Sequence, residues 1–241
     1  MSHTPGTIRT KRLLTAGIVA GPLFITIALV QAFTRDGFDW ARHPTSMLSL
    51  GDLGWIQIGN FLVAGLLFFA CSRGIKGALR DQPGRTWAPI LVGTFAVALL
   101  VAGVFLTDAG IGFPPGAPAE FPDLSWHGIV HSAGPTIGIN ALFVSFFVFA
   151  RYFAKQGQRG WMASSIAAGV VAIAFGGSVN FTGTGEVGDE FNFLPLWAAM
   201  MTGWSYLAVL AWKLRSEVDR KADGAARPAT RQPGAVAQSR R

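Results

Sequence analysis

His127 and His131 stand four residues apart in an apolar stretch, a spacing that puts two imidazoles on one face of a helix. Asp108 closes the preceding apolar run, and His43 lies in the first connection between runs. One carboxylate and three imidazoles form a donor set for a divalent ion such as zinc, with water as the remaining ligand at a catalytic centre. His43, Asp108, His127 and His131 are therefore the candidate metal ligands. Ser46 follows His43 closely and is the candidate catalytic residue, a nucleophile or a group that orients substrate, although no nucleophile-elbow glycines surround it. The plainer alternative is that histidines at a lipid–water boundary satisfy themselves with carboxylates such as Asp123 or with water, and that Ser46 or Ser49 caps a turn.

The elements that must position these residues follow from composition. Of 241 residues, 51% are hydrophobic and 14% charged, with 8 Trp and 19 Phe, and the mean hydropathy is +0.40. Ordinary soluble domains carry roughly a quarter charged residues, so lipid must be the solvent for much of this surface and a soluble enzyme is disfavoured. Six apolar runs without central Asp, Glu, Lys or Arg occupy about 13–33, 55–70, 87–106, 126–150, 161–181 and 193–212. Each approaches the length of about 20 residues that crosses a bilayer. The expectation is an all-α, polytopic integral membrane protein: a bundle of six transmembrane helices in a domain at 13–214, an N-terminal segment at 1–12, and a disordered basic tail at 215–241. Trp55, Trp87, Trp126, Trp161 and Trp212 fall at run ends, where an indole anchors at the interface.

Charge sets the orientation. Eighteen of the 20 Lys and Arg fall on one side of the spans, in the N-terminal segment, the second and fourth connections and the tail, leaving Arg35 and Arg42 on the other. Nine of the 13 acids lie on that second side. Both termini are thus expected in the cytoplasm. The net charge of +7 is accounted for by topology, so anionic lipid heads, not nucleic acid, are the partners expected for the basic loops and tail. The run at 13–33 outlasts the apolar region of a signal peptide and reads as a retained helix. Cys71 has no second cysteine to pair with.

Within the spans the polar residues are amides and hydroxyls, among them Asn60, Thr94, Asn140, Ser145, Ser178 and Asn180. This disfavours proton-coupled transport and voltage sensing, which place ionisable groups at mid-membrane, and assigns Asn60 and Asn140 to hydrogen bonds between helices. Gly17 with Gly21, and Gly134 with Gly138, are small residues at i and i+4 that suit close packing inside the bundle. The first connection is too apolar for a solvated linker and is expected to lie on the bundle. The proline-rich stretch at 107–125 has the length of a lid or binding loop, and the acidic stretch at 186–190 reads as a solvated turn. No Walker or Rossmann glycine pattern is present.

His43-Pro44-Thr45-Ser46, the run from Leu50-Gly51-Asp52 to Trp55-Ile56-Gln57, Phe113-Pro114-Pro115-Gly116, and Trp126-His127-Gly128 with His131 give the sequence its likeness to a known family. It resembles a bacterial membrane family catalogued as domain of unknown function number 998. The resemblance implies a multi-helix protein of the bacterial cytoplasmic membrane and carries no activity with it. Ser46, Asp108, His127 and His131 are also similar in kind to the Ser, Asp and His-x3-His of seven-helix zinc hydrolases such as alkaline ceramidases and adiponectin receptors. The present chain departs from these in having six spans and in opening the fourth span with its histidine pair. Two functions follow as expectations: a non-enzymatic membrane component that handles a small solute or lipid or serves as a partner subunit, and alternatively a metal-dependent hydrolase or lipid-modifying enzyme with an outward-facing His/Asp site.

Overall fold

The computed structural model describes residues 5–178 and 192–226. Its six long helices are α1 (Pro5–Thr34), α2 (Gly54–Ala78), α3 (Trp87–Val104), α4 (Trp126–Lys155), α5 (Arg159–Ser178) and α6 (Leu194–Ala226), each long and apolar enough to cross a membrane. A short 3-10 helix, Thr45–Ser49, interrupts the connection from α1 to α2. Among the described residues there is no strand, only one isolated bridge between Gly110 and Phe113. The acidic stretch at 186–190, Asn180, the end of the fifth run and the tail beyond 226 lie outside the described residues.

Each helix packs on its neighbour in the chain, and α1 closes against α6, so the six form a ring. Without a hydrophobic drive between helices in lipid, close backbone approach has to supply the packing. The paired glycines do this within the bundle. A Cβ on Gly21 would stand 2.5 Å from the Trp204 carbonyl oxygen of α6, and one on Gly134 would stand 2.9 Å from the Val101 side chain of α3. Gly17 and Gly138 press as tightly on Cys71 and Ala98. Aromatic rings fill the middle, with Trp204 set edge-on to Phe24 at 4.3 Å and tilted against Phe95 at 6.0 Å. Trp55, Trp87 and Trp126, at the starts of α2, α3 and α4, are exposed, as interfacial anchors must be. Trp212 is exposed in the middle of α6, because that helix continues past it, and Trp161 is half-buried against Phe153 and Lys213 instead of standing free at a helix end.

Polar groups join helices as expected at Asn60 but not at Asn140. Asn60 Nδ2 donates to the Phe24 carbonyl of α1 at 3.1 Å and to Gln57 Oε1 at 3.1 Å, and Gln31 Nε2 donates to the same oxygen at 2.9 Å. Asn140 Nδ2 instead donates to its own helix, to the Thr136 carbonyl at 2.8 Å, and stays exposed. Its side chain faces a cavity, so no partner helix is in reach.

The ends of the chain depart furthest from composition. The segment at 5–12 is the first part of α1 and not a separate arm. The stretch from 215 to 226, read as disordered, continues α6. The reason is specific pairing. Tyr152 Oη donates to Glu217 Oε2 at 2.6 Å, Gln158 Nε2 to Glu217 Oε1 at 2.9 Å, and Lys213 Nζ lies 3.1 Å from that oxygen. Lys213 also stands 5.1 Å from the centre of the Trp161 ring, and Asp219 pairs with Lys11 of α1. A carboxylate held among α4, the α4–α5 turn and α6 keeps the last turns helical where sequence composition alone sees only charge.

Candidate functional site

The connections at 35–53 and 105–125 meet over one end of the ring and form a cap. Arg35 organises it. Its guanidinium donates to the Leu48 carbonyl at 2.9 Å and the Leu50 carbonyl at 2.6 Å, and lies 5.3 Å from the centre of the Phe113 ring. Partial burial lowers the guanidinium pKa from its ordinary value while Asp52 raises it, and the group stays charged. The 3-10 helix sits inward, with Met47 and Leu48 buried, so the first connection does lie on the bundle. In sequence Arg35 stands out only as an exception to the charge bias. The neighbouring run of apolar residues, which needs donors for its carbonyls, was the signal that could have found it.

His43 belongs to the cap. It is 3% exposed. Its Nδ1 accepts from the Asp39 N–H at 2.9 Å, its Nε2 reaches the Ile111 carbonyl at 2.8 Å, and its ring packs against Phe38 and Phe113. Its own carbonyl accepts from Trp197 Nε1 at 3.1 Å, tying the cap to α6. Both imidazole nitrogens of His43 are engaged by backbone groups and neither faces the pair on α4.

That pair is divided as well. Val104 ends α3 and leaves carbonyls without helical donors. His131 Nδ1 lies 2.6 Å from the Phe105 carbonyl, and His127 Nδ1 lies 3.3 Å from the Leu106 carbonyl. The i, i+4 spacing thus places two donors beside consecutive carbonyls where α3 ends and stitches α3 to α4. His127 remains open to its surroundings while His131 is 3% exposed.

Asp108 sits at the start of α4. Its Oδ2 accepts from the Ser125 N–H at 2.9 Å and its Oδ1 from the Ser125 hydroxyl at 2.7 Å, while Ser125 Oγ accepts from the Gly128 N–H at 3.2 Å as the helix cap. A carboxylate there meets unpaired N–H groups and the positive end of the helix dipole. Gly128 is required for this approach, since a Cβ on it would overlap Asp108 Oδ2. His127 Nδ1 is 2.9 Å from Ser125 Oγ and 3.8 Å from Asp108 Oδ1. Ser125 lies between acid and imidazole, so its hydroxyl proton points to the carboxylate, the reverse of the order that activates a serine nucleophile. Of the four candidate ligands the structure therefore brings Asp108 and His127 together. Among the described residues no three His, Cys, Asp or Glu side chains group so as to hold a metal ion.

Ser46 lies on the wall of a cavity of about 420 Å³ beneath the cap, which Asp108 and His131 also line. Its carbonyl accepts from Ser49 Oγ at 2.7 Å, and no histidine hydrogen-bonds its hydroxyl. The cavity runs from Pro44, Ser46 and Asp108 under the cap down to Phe143 and Trp204 within the ring. Its two sides differ in chemistry. One carries Ser132, Thr136 and Asn140, successive positions of an i+4 stripe on α4, with His131, Thr45 and Ser46 above them. The other carries Leu196, Met200 and Trp204 of α6 and Ile173 of α5. On the polar side, Thr136 Oγ1 donates to the Ser132 carbonyl at 2.7 Å, and Pro135 has no N–H to offer the His131 carbonyl. The stripe of hydroxyls and one amide was visible in sequence only as scattered polar residues. What identifies it is that α4 and α6 meet weakly across the ring.

Residues 18–213 match the family model described as a protein of unknown function (DUF998). No curated protein and no solved structure matches the chain.

Proposed function

The chain belongs to that family, and from this premise we propose that it is a non-enzymatic, lipid-handling protein of the bacterial cytoplasmic membrane, binding an amphiphile beneath its cap. One observation carries the reading. The cavity inside the ring has a polar stripe on α4 facing an apolar wall on α5 and α6, and polar groups left open within a membrane domain mark a pathway or binding site. A ligand with an apolar body and one hydrogen-bonding end satisfies both sides.

Orientation belongs to the same proposal. Arg9, Arg12, Arg73, Lys76 and Arg151 gather at the end of the ring that holds the termini, and the cap has Arg35 and Arg42. The positive-inside bias then puts both termini in the cytoplasm and the cavity in the outer leaflet half, with anionic lipid heads against the basic end.

The test is co-purification. Full-length protein extracted into nanodiscs should carry a bound lipid or apolar solute detectable by native mass spectrometry, and Thr136→Phe, which fills the cavity, should lose it. A parent without bound amphiphile, after incubation with the lipids of its own membrane, would sink the reading. The metal-dependent hydrolase has no comparable support, because His43 and His131 are turned to backbone carbonyls and no histidine hydrogen-bonds the Ser46 hydroxyl.

A further inference from the structure

We propose that the cavity selects its amphiphile by charge, admitting a neutral or cationic head and refusing an anionic one, with Asp108 as the discriminating group. This rests on the amphiphile-binding reading above. Among the described residues lining the cavity there is no Lys or Arg, and Asp108 is the single carboxylate. The two arginines at the cap end give no relief. Arg35 is committed to the Leu48 and Leu50 carbonyls and to the face of Phe113, and Arg42 does not line the cavity.

The one ready-made place for an anion is already filled. The N-terminus of α4 lies behind Asp108, which does line the cavity, and its first N–H groups and dipole would bind a phosphate or carboxylate. The chain's own Asp108 occupies it through Ser125 N–H and Oγ, with Gly128 giving the room. An anionic head would therefore meet a fixed like charge, with no lysine or arginine on the described lining to offset its lost hydration. A hydroxyl, amide or ammonium head meets instead the Ser46 hydroxyl, the Asn140 amide and the Asp108 carboxylate.

Three probes with one brominated dodecyl chain and different heads decide the matter: an alcohol, a trimethylammonium and a carboxylate held ionised at pH 8. Full-length protein in nanodiscs is titrated with each, and the saturable tryptophan quenching that disappears in Trp204→Phe reports cavity occupancy. The alcohol and ammonium probes should saturate, with the carboxylate at least about tenfold weaker, the size expected of one like charge at partial screening. Asp108→Asn should bring the carboxylate within about threefold of the alcohol. If all three probes fail to saturate, the amphiphile-binding reading falls and this inference with it. If the carboxylate saturates as tightly as the alcohol, charge selection alone falls and amphiphile binding stands. Discrimination that persists in a folded Asp108→Asn variant overturns the role of Asp108, and the wild-type series decides the rest should that variant not fold.

Discussion

At the scale of single residues, the polar side chains that attracted attention in sequence hold backbone together. His127, His131 and Asp108 all act where α3 ends and α4 begins, and Ser125, which no motif marks, links Asp108 to His127. Gly128→Ala should be the most damaging small change here, because the added carbon overlaps Asp108 Oδ2 and forces the carboxylate off the helix N-terminus. The cost expected is about 1–3 kcal/mol, the range for overpacking a fixed site, and should appear as a lower melting temperature in nanodiscs. Asp108→Asn combined with Gly128→Ala should cost less than the sum of the two, since both act on one contact. The histidine pair gives a second prediction. If its work is to serve the carbonyls of 105 and 106, His127→Ala/His131→Ala should lower the melting temperature equally with added zinc and with excess chelator. A loss seen only when zinc is present would restore the metal site. Arg35→Ala should cost more than either histidine, since each charged hydrogen bond to a carbonyl is worth about 1.5–3 kcal/mol and two are lost together.

At the scale of elements, the helices were legible where lipid dictates them and hidden where protein does. The six runs follow from apolar length, and the positions of Trp55, Trp87 and Trp126 from the interface. The continuation of α6 to Ala226 was not legible, because Glu217 becomes a helix-stabilising residue only once Tyr152, Gln158 and Lys213 arrive from α4, the α4–α5 turn and α6 itself. Composition counts such residues as solvated charge. The same limit applies to Asn140, which reads like Asn60 in sequence and differs from it only in what lies opposite. Glu217→Ala should consequently act on α4, the α4–α5 turn and α6 at once. It strips a buried ammonium and a phenol of their acceptor, and breaking such a pair costs about 3–5 kcal/mol. Tyr152→Phe, which removes one hydroxyl and leaves the Lys213 pair, should cost about 1 kcal/mol. Hydrogen exchange should show the effect of Glu217→Ala concentrated in 213–226 and the facing end of α4, with the cap unchanged.

At the scale of the whole molecule, the ring closes because α1 meets α6, and six spans set the start of α1 and the end of α6 at one end and both cap connections at the other. With six spans this parity is unavoidable, and it makes the charge bias a testable statement about which end faces which compartment. Cys71 is buried and can be replaced by Ala, leaving a chain into which single cysteines are placed at Asp123 in the cap and at Gln82 near the opposite end. In intact cells an impermeant maleimide should label the cysteine at 123 and reach the one at 82 only after permeabilisation. The reverse pattern would invert the protein and move the cavity to the cytoplasmic leaflet, leaving its geometry as it is. The bias itself can be pushed. Replacing Arg73, Lys76, Arg80 and Arg85 by Gln removes the positive charge of one short connection while 5–12 and the charges of α6 keep theirs, so orientation should hold in most molecules, because the rule counts charge over all short connections near span ends. Adding four lysines across 35–53 to that variant should produce a mixed population, seen as maleimide labelling of both sites in unbroken cells. A population that stays uniform would mean that the cap, folded over the ring by Arg35 and His43, resists inversion more strongly than charge promotes it.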